Sequence, residues 1–492
     1  MNKDRLEAIC STINRFGKRL TLDAEEYLAK ILSKHSNIDD SKILSQILTK
    51  YKDSLFITRE ILEDIVKQIL SAIESTEEKT EEMIKHDIKI IRDPGKNLVK
   101  PSGIEDVVEY LLSRCEILGR EIARDYGLRD WIEISRIPVV EGEQFILGVV
   151  TNKKISHETS YLEVEDLTGR RKFIVPKNDE YLKKMVNIIP LDTIIALKIN
   201  ARKNRAPIIT EFYLPKVTPH QIKNNSNIYA ILTSDLHIGS REFMYDEFER
   251  FIEILKGQVD DDKIKSIVKR VFYTIIAGDI VDGVGIYPSQ KKDLLIEDIY
   301  DQYEEAYRLL KKLPDRIKVI ISPGNHDATT KAIPRPPIFK EYAEKIYRDN
   351  KFIMVGDPVN IRLHDVNLFV FHGDFINDVF ATTPGLTHSD VADAMDILLS
   401  VRHIAPTYGL QTRIMPQKRD PLIIPKDINI LHGGHTHVFS YKYRNDNLLI
   451  INSGTWQKQT EYQKEMGMQP TPGIIPIINL STLKLHILDL IQ

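Results

Sequence analysis

The sequence predicts a multidomain α/β protein that has an N-terminal helical domain, a small β-barrel and a two-sheet α/β sandwich. Its 492 residues are enough for about two to four domains. Apolar residues keep helical spacing near the start, short strands follow, and later apolar runs end in Asp, Asn or His. These patterns predict a helical domain over 1–73, a linker over 74–103, a helix plus barrel over 104–217 and the sandwich over 218–492.

Composition narrows the class of protein. No apolar run is long enough to span a membrane, and residues 1–5 are too charged for a signal peptide. Cys10 and Cys115 belong to no motif, so we expect no disulfide framework and a location in a reducing cytoplasm. The net charge of −3 gives no overall basic field, so nucleic acid would be bound locally or with help from a partner.

The helical domain shows its clearest apolar stripe near its end. Its members recur at helical spacing: Ile61, Leu62, Ile65, Val66, Ile69, Leu70 and Ile73. Such a stripe suits internal packing, and docking of another protein stays an equal alternative. From Glu74 to Gly103 the apolar pattern fails, and charges with Pro-Gly pairs predict a flexible linker.

Five short β runs predict the barrel. They cover 144–151, 161–166, 170–175, 193–199 and 208–213. Five strands with tight turns between them fit a closed barrel of the oligonucleotide-binding (OB) class. Lys153, Arg170 and Arg171 are among the residues that make it locally basic, but few aromatic residues are interleaved as stacking platforms. Direct DNA binding and a protein-interface role therefore both stay open.

In the last domain, five apolar runs lead directly into metal-binding residue types. The residues that follow them are Asp235 and His237, Asp279 and Asp282, Asn325 to Asp327, His372, and His435 and His437. A hydrophobic run of this kind predicts a buried strand, and ligands of open α/β sheets lie at the carboxyl ends of the strands. We therefore expect these side chains to converge.

The residue types suit a pair of divalent ions. The seven candidate ligands are two carboxylates, one amide and four imidazoles: Asp235, His237, Asp279, Asn325, His372, His435 and His437. Carboxylates supply charge, imidazoles complete each shell, and the lack of thiolates argues against a structural zinc site. Two ions about 3.5–4 Å apart can stabilise both the attacking and the leaving oxygen of a phosphoryl displacement. His326 is then the spare imidazole, placed to donate a proton to the leaving oxygen. His432 lies within a strand, out of phase with His435, and is predicted to be structural.

The order of these motifs resembles the calcineurin-like metallophosphoesterases, a two-metal family that acts on phosphate monoesters and diesters. The resemblance implies two ligand sets that share Asp279 as the bridge: Asp235, His237, Asp279 and His437 for one ion, and Asp279, Asn325, His372 and His435 for the other. It also implies that His326 is catalytic and that Asp327 orients it, with Asp282 behind the ligands. Mixed nitrogen and oxygen shells accept manganese, iron, zinc or nickel.

A second resemblance is more specific. Asp-Ile-Val-Asp-Gly-Val-Gly-Ile-Tyr-Pro at 279–288, Arg-His-Ile-Ala-Pro-Thr-Tyr-Gly at 402–409 and Asn-Ser-Gly-Thr-Trp-Gln at 452–457 resemble the small subunit of archaeal family D DNA polymerase. The resemblance implies a 3′-to-5′ proofreading exonuclease that acts on DNA 3′ ends and binds a large polymerising subunit. A sliding clamp or a primase are further candidate partners. One departure is the acidic Gly-Asp-Phe-Ile-Asn-Asp at 373–378, where a more basic sequence is expected.

Three residues are predicted to contact the substrate. Arg402 and His403 fall in a long stretch without metal motifs, and Tyr287 follows Asp282 closely. Arginines there could bind the phosphates of a frayed 3′ end, or they could be ordinary surface residues. Two rival functions remain: an inactive scaffold subunit, against which the filled ligand positions argue, and a free-standing phosphoesterase or repair nuclease, against which the fused barrel argues.

Overall fold

The computed structural model describes residues 2–34, 40–52, 54–69, 85–156, 160–465 and 467–491. The chain forms two compact units, residues 1–86 and 87–492. Helices and several β-sheets are both present, as the predicted mixed α/β class requires. Among the described residues, no helix is long and apolar enough to cross a bilayer.

The first unit is a small helical bundle. Its elements are α1 (Asn2–Arg15), β1 (Arg19–Leu20), α2 (Leu22–Lys34), α3 (Asp40–Lys50), β2 (Phe56–Ile57) and α4 (59–69). Ile13, Leu28 and Ile47 join Leu62 and Ile65 in one buried core, so the apolar stripe of α4 packs inside the unit. The last two residues of that stripe, Leu70 and Ile73, lie outside the described residues.

The second part of the predicted linker is folded. Strand β3 (Ile88–Arg92) pairs antiparallel with residues 360–363, and a 3₁₀ turn spans Pro94–Asn97. The carboxylate of Asp93 accepts a hydrogen bond from the amide of Gly356 at 3.2 Å. The linker prediction is therefore wrong for residues 88–97, because this short charged strand is completed by a partner strand some 270 residues further along the chain. Residues 74–84 lie outside the described residues.

A helix and a barrel follow. The elements are α5 (Ile104–Asp125), a 3₁₀ turn (Ile134–Val139), β4 (Gly142–Lys154), β5 (Ser160–Asp166), β6 (Gly169–Val175), α6 (Glu180–Ile188), β7 (Ile194–Ala201) and β8 (Ile208–Tyr213). The described strands close in the order β4-β5-β6-β8-β7. Several of the basic side chains have partners within the barrel: Lys153 donates to the carbonyls of Asn187 and Ile189, and Arg170 pairs with Glu165.

Across the described residues of the second unit, two six-stranded sheets contain the rest of the strands. Their elements in chain order are β9 (Tyr229–Thr233), α7 (Tyr245–Leu255), α8 (Asp262–Val268), β10 (Val271–Ala277), a 3₁₀ turn (Gln290–Lys292), α9 (Ile299–Lys311), β11 (Lys318–Ser322), α10 (Glu344–Arg348), β12 (Phe352–Met354), β13 (Val359–Leu363), β14 (Val366–Val370), α11 (Ile376–Thr382), α12 (Val391–Val401), β15 (Ile430–Gly433), β16 (Phe439–Asn445), β17 (Leu448–Ser453), α13 (Glu461–Glu465), β18 (Ile474–Asn479) and β19 (Leu485–Asp489).

The sheet order places the ends of the predicted metal strands together. One sheet has the order β12-β11-β10-β9-β18-β19, and the other has β16-β17-β15-β14-β13-β3. Strands β9, β10 and β11 run parallel, as do β14 and β15. Strands β9, β10 and β14 are buried along their whole length, which is why they appear in the sequence as continuous apolar runs. Helices α7 and α9 pack against the first sheet, and α11 and α12 against the second.

Candidate metal centre

The segments after β9 and β15 bring together the first group of predicted ligands. Nε2 of His437 lies 3.5 Å from Oδ1 of Asp235, and Nε2 of His237 lies 3.9 Å from the same oxygen. The two Nε2 atoms are 3.0 Å apart. All three side chains are buried and point their ligand atoms at one another, which is the arrangement of a metal shell.

The second group forms around Asp279. Nε2 of His372 lies 3.3 Å from Oδ2 of Asp279 and 2.8 Å from Oδ1 of Asn325. The same Asn325 oxygen lies 3.0 Å from Nδ1 of His435. Oδ2 of Asp279 is also 3.8 Å from Nε2 of His237, so this one oxygen stands between the two groups. Its position is the one that a bridging carboxylate needs.

The backbone at these positions is strained. Five of the seven candidate ligands have φ between 50° and 68°: Asp235, His237, Asp279, His435 and His437. A positive φ is uncommon for residues other than glycine and costs about 1–3 kcal/mol where the structure enforces it. Such residues concentrate at functional sites because the loop must aim a particular side chain there.

The electrostatics of the site fit divalent cations. Within the described part of the chain, the buried Oδ1 of Asp235 has no hydrogen-bond partner. Burial opposes ionisation of Asp279, but His372 and other nearby imidazoles hold the pKa of Asp279 well below its usual value. Burial likewise opposes protonation of His372, and Asp279 nevertheless raises its pKa to about 10. The two carboxylates thus attract positive charge, which divalent ions would supply in place of imidazole protons.

Side chains behind the ligands hold their rings. Nδ1 of His237 lies 3.0 Å from Oδ1 of Asp282, which fits the predicted position of Asp282 behind the ligands. The Asp282 carboxylate in turn accepts hydrogen bonds from Gln290 at 2.9 Å and Gln457 at 3.1 Å. Such outer partners fix ring orientation and commonly raise metal affinity 10–100-fold.

Two further amides of this kind were missed in the sequence. The Nε2 atom of Gln463 lies 2.9 Å from Nδ1 of His437, and Nδ2 of Asn377 lies 3.1 Å from Nε2 of His435. Neither residue belongs to a ligand motif, and a single amide in a loop carries no signal of its own.

The spare imidazole, His326, lies beside the metal groups. Its Nδ1 is 2.7 Å from the carbonyl oxygen of Asp282, and its Nε2 is 4.0 Å from Oδ2 of Asp279. If Nδ1 donates to the carbonyl, Nε2 faces the site. Burial lowers the pKa of His326, so a proton on the ring is released readily.

Asp327 does not orient that ring. Its carboxylate accepts hydrogen bonds from the amides of Asp279 and Gly324, each at 2.8 Å, and from the hydroxyl of Tyr303 at 3.2 Å. It therefore shapes the backbone that carries the bridging ligand. The orienting role predicted for Asp327 belongs to the Asp282 carbonyl instead.

The structure contradicts two of the three predicted substrate contacts. Arg402 and His403 are only 2% and 1% exposed. Arg402 donates to the carbonyl of Ile424 at 3.0 Å and pairs with Glu121. Nε2 of His403 lies 2.9 Å from Asp420, which also binds Arg114 at 2.7 Å. The residues Arg114, Arg402, His403 and Asp420, called the Asp420 cluster below, have their charges and hydrogen bonds directed into the protein.

Tyr287, the third predicted contact, lines the cavity above the metal groups. This cavity has a volume of about 780 Å³. His237, His326, His435 and His437 form one part of its lining, and Tyr287, Tyr462, Met468 and Pro470 form another. The ring of Tyr287 stacks on that of Tyr462 at 5.2 Å with an interplanar angle of 23°.

The acidic residue that departs from the expected sequence has a structural partner. The carboxylate of Asp374 accepts two hydrogen bonds from the buried Arg335, at 3.1 and 2.7 Å. Arg335 also bonds Asp357 at 2.5 Å, and the backbone amide of His372 donates to Asp357 at 3.0 Å. This ion-pair group therefore supports the backbone of a predicted ligand.

Comparisons with known proteins agree on one family. The family of DNA polymerase alpha/epsilon B-type subunits matches residues 230–433. The DNA polymerase II small subunit of Pyrococcus horikoshii is 37% identical over 419 residues, which cover 82% of this chain and 67% of that protein. The DNA polymerase II small subunit of Methanothermobacter thermautotrophicus is 34% identical over 402 residues, or 81% of this chain and 82% of that protein. Among solved structures, the asparaginyl-tRNA synthetase of Pyrococcus horikoshii covers 26% of this chain and 33% of its own, with 14% identity and a TM-score of 0.17, a similarity that supports no conclusion.

Proposed function

Since the chain belongs to the family of archaeal DNA polymerase II small subunits, we propose that it is a 3′-to-5′ proofreading exonuclease within a replicative family D DNA polymerase. The observation that carries the proposal is the convergence of two ligand groups on one oxygen of Asp279. In this proposal the sandwich is a calcineurin-like phosphoesterase domain and the closed barrel is of the OB class.

The two ligand groups are the proposed shells of two divalent ions, with manganese as the first candidate and iron, zinc or nickel as the others. Asp235, His237 and His437 would hold one ion together with Asp279. Asn325, His372 and His435 would hold the other, again with Asp279. Bound there, the ions would stabilise the negative charge that builds up on the phosphate during hydrolysis.

The proposed role of His326 is to donate a proton. Hydrolysis of the last phosphodiester joins a water oxygen to phosphorus and breaks the bond to the 3′ oxygen of the preceding nucleotide. With Nδ1 of His326 held at the Asp282 carbonyl, a proton on Nε2 faces the cavity and can pass to that departing oxygen. The same hydrogen bond fixes the ring, so the geometry is prepared before the substrate arrives.

The proposed main partner is a large polymerising subunit. A small subunit by that name implies a large one, and the net charge of −3 gives this chain little general attraction for DNA. A larger chain that binds DNA would then deliver the frayed 3′ end. A sliding clamp or a primase remain further candidates.

Digestion of a 5′-labelled single strand by the full-length protein with Mn²⁺ tests the activity. The wild type should shorten the strand from its 3′ end, and Asp279→Ala should lower the rate by about 10³-fold or more, because the bridging ligand of both ions is lost. Asp446→Ala, in the exposed turn between β16 and β17, is the matched control and should digest normally. A folded Asp279→Ala protein with near-normal digestion would exclude the two-metal assignment, and an inactive wild type would favour the scaffold alternative.

Co-expression with the large subunit tests the partnership. We expect residues 87–492 to form a tight complex, with residues 1–73 dispensable for it and responsible for a separate, weaker contact. The fragment begins at residue 87, because a start at 105 would remove the edge strand β3 and the contact of Asp93 with Gly356. If full-length protein binds and 87–492 does not, the interface lies in the first unit. If neither binds, the free-standing nuclease replaces the present proposal.

A further inference from the structure

The aromatic part of the cavity lining is built from a stacked pair with one ring held and one ring open. The hydroxyl of Tyr287 donates to Oδ2 of Asp293 at 3.0 Å, which fixes its ring. The Tyr287 ring centroid is 6.4 Å from that of His326. Tyr462 covers Tyr287 at 5.2 Å and is itself 43% exposed. An exposed aromatic face thus lies one ring beyond the proposed proton donor.

The chain position of Tyr462 ties it to the metal groups. It lies on the short helix α13, and the next residue is Gln463, whose amide contacts His437. Met468 and Pro470 continue the same segment and line the same cavity. One segment therefore carries a brace for a ligand and an apolar surface for a neighbouring group.

We propose that Tyr462, supported from beneath by Tyr287, stacks with the nucleobase of the nucleotide being removed. This inference rests on the proposed function and deepens it by naming the substrate as an unpaired, base-bearing 3′ end. Every nucleobase has an aromatic face, so the platform accepts all four bases without reading the sequence. A base that is paired within a duplex has its faces covered by neighbours and cannot occupy the platform. The pair therefore selects frayed ends over paired ones.

The physical advantage comes from preorganisation. The Asp293 hydrogen bond immobilises Tyr287 before the substrate binds, and Tyr287 in turn restrains Tyr462. Less conformational freedom is then lost when a base stacks. The apolar side chains of Met468 and Pro470 exclude water from the same part of the lining.

Kinetics on two oligonucleotides test the proposal. Full-length protein with Mn²⁺ is given a single strand that ends either in thymidine or in an abasic tetrahydrofuran residue. The wild type should cleave the base-bearing end with the higher kcat/KM. Tyr462→Ala should lower kcat/KM on that end by roughly 5- to 150-fold, mainly through KM, because a stacked base contributes about 1–3 kcal/mol. The preference over the abasic end should then fall towards one, and Tyr462→Phe should restore it because the ring is kept.

The chain offers a matched control. Tyr300 stacks on Tyr342 at 5.0 Å and 22°, and Tyr300 is 50% exposed, but this pair lies on and near α9, outside the cavity lining. Tyr300→Ala should keep the wild-type preference. Metal content by elemental analysis separates stacking from bracing, since Tyr462→Ala should retain both ions.

Each other outcome is decisive. An unchanged preference in Tyr462→Ala, or a wild type without preference, overturns the stacking role while leaving the nuclease in place. An equal loss on both ends with loss of metal assigns Tyr462 to bracing of the ligand segment and also overturns the proposal. A wild type that cleaves neither end rejects the proposed function itself.

Discussion

The metal centre and the Asp420 cluster both bury aspartate and histidine side chains, yet their hydrogen bonding differs. Asp420 accepts from Arg114, lies 2.9 Å from His403, and accepts the amide of Leu422 at 2.9 Å. In the metal centre, Oδ1 of Asp235 has no hydrogen-bond partner among the described residues, and imidazole nitrogens face it at 3.5–3.9 Å. Buried polar groups are nearly always satisfied, so a cluster that satisfies itself supports the fold and one that does not indicates a ligand.

The backbone makes the same distinction. In the Asp420 cluster Arg402 has a φ of 52°, but it stands where α12 ends, a common place for a left-handed residue. In the metal centre the positive φ values fall on the ligands themselves. Type of residue alone therefore does not separate the two clusters, whereas hydrogen bonding and backbone conformation together do.

Matched Asp-to-Asn substitutions should separate the clusters most strongly. Asp420→Asn leaves the buried Arg114 without its counter-charge and should lower the free energy of unfolding by about 3–5 kcal/mol. Asp235→Asn should keep or raise stability in chelator, because an amide can donate to a neighbouring imidazole and asparagine tolerates a positive φ. Urea unfolding of both variants in EDTA gives the comparison. Equal losses would show that the metal centre, too, is built for stability.

His326→Ala and His403→Gln should differ in activity. We expect His326→Ala to bind both ions and to lose about 10²–10⁴-fold in turnover, the usual contribution of a positioned acid. His403→Gln should digest DNA normally, since its ring contacts Asp420 away from the cavity. Turnover and elemental analysis check both variants. Loss of metal from His326→Ala would make His326 a ligand instead of the proton donor.

Acid should expose the buried neutral histidines. Burial, helped by Arg114, lowers the pKa of His403 to about 4, and burial lowers that of His432 to about 3. Because the unfolded chain binds these protons near pH 6.5, stability is full above that pH and falls as the pH drops towards the folded values. At pH 5 each histidine should cost about 2 kcal/mol. Unfolding of wild type and His403→Gln at pH 7 and pH 5 measures the share of His403, and equal pH dependence in the two would contradict it.

The sequence predicted the metal ligands well because the signal is local. Each ligand directly follows an apolar run that forms a buried strand, so strand ends and residue types could be found without knowing the fold. The family prediction, confirmed by the comparisons, rests on such local segments as well.

The errors arose where the deciding partner is distant in sequence. Strand β3 appeared to be linker because its pairing strand, β13, lies far along the chain. Arg402 was taken for a phosphate-binding residue because its counter-charge, Glu121, is 281 residues away. Gln463 carried no pattern at all until the fold placed it against His437. The sequence therefore indicated which residues bind metals more readily than which residues hold them in place.

The left-handed ligand positions also set a trap for engineering. Replacing such a residue with glycine relieves the backbone strain, so variants of this kind should tolerate heat better while losing the metal site. A search for thermostable forms that scores only soluble, folded protein would accumulate inactive chains at these positions. Screening for nuclease activity at every round would be needed to keep the catalyst.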